Sequence, residues 1–210
     1  MTAQIGDIYK VKNKQFTVVA MSAPMVFNPH DYGLEPQSRC TACWRGYWCE
    51  YNIEDDKLFL QNLYMYNRDG NYPDINGVSV SPKTYHDARC IREKKEEIIK
   101  IEDHMGHRLY CNVNLPVSYT GRVLVGDEFI NKYYIHMGFQ RSWAYKVLKE
   151  FVFEGGLLLE TIDHSMMASK IRKIIDDSDE DLYHKLRSDV FRFVEDSFSL
   201  EYSTKAWWIR

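Results

Sequence analysis

YNIEDDKLFL, residues 51–60, alternates apolar and polar side chains on both sides of a polar turn. Tyr51 and Ile53 lead into Glu54-Asp55-Asp56-Lys57, and Leu58 and Leu60 lead out. Period-two alternation around a short polar turn is the pattern of a β-hairpin with one buried face. The arrangement occurs twice more. Tyr9-Lys10-Val11 precedes the turn Lys12 to Gln15 and then Phe16-Thr17-Val18-Val19. Phe151-Val152-Phe153 precedes Glu154-Gly155-Gly156 and then Leu157-Leu158-Leu159. Aromatic and β-branched residues fill the flanks, as strands prefer.

Outward from these hairpins, Arg108 to Leu115 reads as a further strand with Leu109, Cys111, Val113 and Leu115 on one face. Pro116, which has no N–H to donate, should end its ladder. Val117 to Tyr119 and Arg122 to Val125 read as two short strands around Thr120-Gly121. A helix is expected from about Pro82, and Glu97 to Glu102 suits either its end or a strand. A short helix is predicted near residues 128–137: Asp127 stands as N-cap, Phe129, Ile130, Tyr133, Tyr134 and Met137 follow helical spacing, and Gly138 stops it. Met166, Met167, Ile171, Ile174 and Ile175 mark another helix. Ser178 with Asp181 opens one more, with Leu182, Leu186, Val190, Phe193 and Val194 on one stripe.

Strands early and helices late predict an α+β fold: a curled antiparallel β-sheet or partial barrel built from hairpins, with helices mainly in the C-terminal quarter. One domain is expected over 1–210, with 1–163 mainly β, 164–197 helical and the aromatic tail 198–210 docked on the body. The irregular stretches Ala23 to Gly46 and Arg68 to Lys83 hold five of the six prolines and are expected to be loops that carry binding surfaces.

Hydrophobic residues make up 45% of the chain and charged ones 27%, which suits a folded globular domain. The net charge is −3 and the densest charge run, Arg89 to Lys100, mixes signs, so nucleic acid is not an expected partner. No stretch has the length and apolarity of a membrane span or signal peptide, which predicts a cytoplasmic protein without membrane contact. In that compartment the five cysteines are expected to stay reduced.

Cys40-Thr-Ala-Cys43, followed by His86-x-x-x-Cys90, has the ligand types and local spacings of a structural zinc site, the one cofactor the sequence suggests. The competing reading takes the cysteines as small buried hydrophobes. A redox dithiol at Cys40 and Cys43 lacks its context, because Trp44 to Trp48 reads as strand entry and not as a helix start. His104-Met-Gly-His107 is expected to be a polar surface turn, and the acidic run Asp176 to Asp181 a helix cap. Cys49, His136, Asp163 and His164 are the scattered pieces from which nucleophilic chemistry would have to be assembled, with no local motif around them.

The most distinctive feature is the stock of 5 Trp, 15 Tyr and 10 Phe. Trp44, Arg45, Tyr47 and Trp48, with Tyr64, Tyr66 and Tyr72, are the expected binding residues, since aromatics beside arginine are the chemistry of interface anchors. The expected function is therefore a non-enzymatic binding or interaction module, of the immunity-protein or accessory-subunit type, whose partner is another protein. A small-molecule partner is the second expectation. The alternative is an enzyme with its pocket in the mouth of the curled sheet, involving His86, Cys90 or His136, with or without zinc.

Overall fold

A computed structural model describes residues 2–23, 25–81, 107–177 and 199–205. The three hairpins form as β1 (Ile8–Val11) with β2 (Lys14–Met21), β3 (Tyr47–Glu54) with β4 (Lys57–Met65), and β7 (Tyr145–Glu154) with β8 (Leu157–Asp163). Their turns are two residues long. Asp55 and Asp56, like Gly155 and Gly156, adopt positive φ, the conformation that matches the twist of paired strands. Between the hairpins lie β5 (Arg108–Pro116) and β6 (Gly121–Phe129). The sheet order β3-β1-β2-β6-β7-β8-β4 closes through the β3–β4 pairing, so seven strands make a barrel and β5 adds to the edge of β4. Among the named strands, all pairings are antiparallel except β1 with β3. The expected α+β curled sheet is present.

The β4–β8 joint is narrow: Lys57 pairs with Leu157, the Leu58 amide donates to the Gly156 carbonyl (2.9 Å) and the Leu158 amide to Asp56 (2.7 Å). Gly156 has φ +85°, and a Cβ there would lie 2.2 Å from the Val117 carbonyl oxygen. Only glycine lets the segment after β5 pass this closely. That segment, 117–120, is not a strand; Val117 and Tyr119 instead close the joint by bonding Leu58 and Gly156.

Alternating side chains of the strands fill the interior: Tyr9, Phe16, Val18, Cys49, Tyr51, Leu60, Leu63, Val123, Val125, Phe151 and Phe153 are all buried there. A bulge in β2 between Val18 and Ala20 turns Val19 and Ala20 outward. There they meet Leu124, Tyr145, Leu148 and Ala168 beneath helix α1 (Ser165–Asp177). Asp163 starts that helix by accepting the Ser165 amide (2.8 Å). The tail segment 199–205, with the single turn α2 (Tyr202–Lys205), lies against β2 and buries Lys205. None of the described helices is long and apolar enough to cross a membrane.

Three local expectations are corrected. The helix predicted near 128–137 is absent: β6 runs through Phe129, a 3₁₀ turn covers Asn131–Tyr133, and the chain is then irregular. Asp127 uses its carboxylate on the Glu128 amide (2.7 Å), and the Gln140 side chain bonds both the Ile135 amide and carbonyl, so sheet and loop contacts take the groups a helix would need. Cys111 faces solvent: Tyr110, paired with Leu63, takes the buried face of β5, and the irregularity after Cys111, where Asn112 and Asn114 adopt positive φ, leaves Val113 buried as well. His107 is buried against the Trp48 ring (centroids 5.1 Å apart), not on a surface turn. The helix from Pro82, the helix from Ser178, His104 and the alternative pairing of 97–102 lie outside the described residues.

Candidate binding site at the barrel mouth

One end of the barrel, where β1 and β3 begin and β2 finishes, opens into a cavity of about 560 Å³. Its walls are mostly apolar: Met21, Met25, Val26, Phe27, Tyr47, Tyr51, Phe139 and Leu200. Loop 22–46 supplies one side, Trp44 the rim, and the tail another wall through Leu200, whose carbonyl accepts the Met21 amide (2.7 Å). Set among these groups is one ion pair. Arg45 Nη1 and Nη2 donate end-on to Asp7, the former at 3.1 Å. Asp7 also accepts the Cys49 amide (2.7 Å), so a loop, the approach to β1 and strand β3 are tied by one carboxylate.

The pair is unequal in exposure. The Asp7 side chain is 4% exposed and Arg45 26%, so the cationic partner faces the opening. Burial opposes the Arg45 charge, but the Asp7 carboxylate more than offsets it and holds the guanidinium protonated. Its carbon lies 4.9 Å from the Tyr47 ring centroid, a cation–π contact that fixes its plane. Arg45 Nε is buried and has no partner among the described residues, nor has the Tyr9 hydroxyl in the core. Gly46 allows the arrangement. With φ +77° it turns the chain between Arg45 and Tyr47, and a Cβ would sit 2.6 Å from the Gln37 amide nitrogen.

The expected binding residues fall in three places. Trp44, Arg45 and Tyr47 come together at the mouth, with Trp44 48% exposed and Tyr47 buried. Trp48 points outward from β3, yet is only 3% exposed, because Tyr64 stacks on it (4.8 Å, 6° between planes) and His107 covers it. Tyr66 lies under the Arg39 guanidinium (4.1 Å), and the Tyr72 hydroxyl accepts the Asn67 amide (3.0 Å). An interface on the Cys40 to Trp48 loop would thus rest on Trp44 and Arg45. Asp7 was not foreseen: it lies 38 residues from its partner, and nothing around Gly6-Asp7-Ile8 marks a site.

Of the suggested zinc ligands, His86 and Cys90 lie outside the described residues. Cys43 is buried with its Sγ 3.5 Å from the Tyr47 carbonyl, and burial pushes its thiol up to about 12. No described group of three or more His, Cys, Asp or Glu is placed to hold a metal. His136 is exposed beside Tyr134 and does not reach the mouth. His164 faces Glu150 (2.8 Å) on the outer face of β7. Comparison with models of known families, with curated proteins and with solved structures finds no match, so the site is read from its own geometry.

Proposed function

We propose that this protein is a binding module whose receptor site is the barrel mouth around Asp7 and Arg45. The observation that carries this reading is the cavity itself: about 560 Å³, apolar-walled, with one oriented charge pair. Small-ligand sites have that size and composition, and barrel mouths are a recurrent place for them. Binding without chemistry is supported by how the polar groups are used. Both Asp7 oxygens are taken by Arg45 and Cys49, and the nearby Cys43 thiol stays protonated at neutral pH. The exposed Trp44 and Met25 at the rim also suit a partner protein that inserts an apolar side chain.

Titration with the neutral apolar dye Nile red tests the site. One dye per chain should bind, and Val26→Trp, which fills the cavity, should abolish the signal. Leu159→Ser removes an exposed leucine that does not line the mouth and should leave it unchanged. Equal dye uptake by all three proteins would place binding on the general surface and remove the proposal.

A further inference from the structure

The polar groups at the mouth, counted donor by donor, specify the head of the ligand. Asp7 has spent both oxygens. Asn28 gives its oxygen to the His30 amide and its nitrogen to Asp31. The Gln4 amide is engaged with the Trp44 amide and the Thr41 carbonyl. The Tyr47 hydroxyl faces Met25 Sδ (3.6 Å) and the Phe27 carbonyl (3.4 Å). Arg45 differs. A guanidinium carries five N–H donors in a planar fork, and only one hydrogen on each Nη is used on Asp7. Nε–H and the outer hydrogens are left, and Nε is buried without a partner among the described residues. Apart from the exposed His30 ring, the unspent capacity these groups leave at the mouth is of donor type, positively charged and planar, and an unsatisfied buried donor raises the free energy of the empty site.

Resting on the binding reading above, we infer that the mouth takes a small apolar acid: its carboxylate meets the Arg45 edge that Asp7 leaves open, and its hydrocarbon or ring body packs on Met21, Met25, Val26 and Phe27. Guanidinium edges pair with carboxylates through two parallel N–H···O bonds, which suits a planar anion better than an alcohol or an amine. Asp7 does not cancel this preference. Its side chain is 4% exposed against 26% for Arg45, so the cation is the more accessible member of the pair.

Calorimetric titration of the full chain with decanoate, decanol and decylamine separates head from body. Decanoate should bind at least about tenfold tighter than decanol, the scale of one charge-assisted hydrogen bond, and decylamine should bind weakest. The paired variant Asp7→Asn with Arg45→Gln removes both charges and shortens the side chain at 45. It should erase the acid preference, bringing decanoate and decanol affinities to within about twofold of each other. Should that variant fail to fold, the ranking of the three probes on the native protein still decides. Equal binding of decanoate and decanol, or tighter binding of decylamine, overturns the acid assignment and leaves the cavity reading standing. Binding of none of the three, or binding that Val26→Trp does not weaken, overturns both.

Discussion

Two buried carboxylates of this barrel each hold an arginine, and they do opposite things with it. Asp7 lies at the mouth, ties Arg45 end-on and leaves that guanidinium with donors to spare beside a cavity. Glu150, 1% exposed on the outer face of β7, is saturated from three elements: Arg122 of β6 (3.0 Å), His164 before α1 (2.8 Å) and Tyr202 of the tail (2.8 Å). At Glu150 the carboxylate gathers one donor from each of three elements, which is what a fastener does. At Asp7 the carboxylate orients a donor and leaves it partly unspent, which is what a receptor does. Burial and charge pairing are common to both; they differ in where the arginine's remaining donors lie, in solvent at half-exposed Arg122 and beside the cavity at Arg45.

The two are also connected. Glu150 pins Tyr202, and the same short tail carries Leu200 into the mouth wall and its carbonyl to Met21. Loosening the fastener should therefore open one side of the receptor, whereas emptying the receptor of charge should leave the fastener intact.

The largest expected effect comes from breaking the Asp7 pair on one side. Asp7→Ala leaves a cation in an apolar mouth and the Cys49 amide unpaired, a loss of about 3–5 kcal/mol in urea unfolding. The pair Asp7→Ala with Arg45→Met should recover most of that loss. If the double variant is as unstable as the single, the cost is structural and not electrostatic. Glu150→Gln should cost less, about 1–3 kcal/mol, because Arg122 is half exposed and regains water when its partner is neutralised.

The Glu150 cluster also sets a pH dependence. Burial pushes its carboxyl up, but hydrogen bonds from His164, Arg122 and Tyr202 outweigh that and hold it below the usual glutamate range. A carboxylate lowered in the folded state contributes stability above its unfolded pKa and loses it as pH falls through the folded one. The protection factor of the Met21 amide, which bonds Leu200, should therefore fall on acidification in the native protein and respond far less in Glu150→Gln. Identical pH profiles would detach the tail from this carboxylate. Tyr202→Phe removes one of the three donors and should cost about 1 kcal/mol, with the same local loss of protection at neutral pH.

The barrel was legible because its evidence is local. Alternation around the turns at Asp55-Asp56 and Gly155-Gly156 is written in consecutive residues, and those turns set the register of β3 with β4 and of β7 with β8. Closure was not legible, since it depends on Gly156 passing the Val117 carbonyl, a contact between distant residues. The same limit divides the site. Trp44, Arg45 and Tyr47 stand out as an aromatic cluster with one cation, but the residue that aims the cation is Asp7, 38 residues earlier and before the first hairpin. Periodicity also misled where a polar side chain intervened: helical spacing after Asp127 gave way once Asp127 and Gln140 took the backbone groups.

The smallest effect on stability is the most telling one for function. Trp44 and Trp48 are four residues apart in one aromatic string, and the sequence treats them alike. The fold does not: Trp48 is stacked on Tyr64 beneath His107, while Trp44 is half exposed at the rim. Trp48→Ala should remove a packed ring and cost about 3–5 kcal/mol. Trp44→Ala should change stability by no more than about 0.5 kcal/mol, the usual range for a surface side chain, while weakening Nile red and decanoate binding together. A Trp44→Ala protein that unfolds early would show the rim to be part of the core. One that binds both probes unchanged would move the entrance away from this loop, and with it the role of Arg45 behind Trp44.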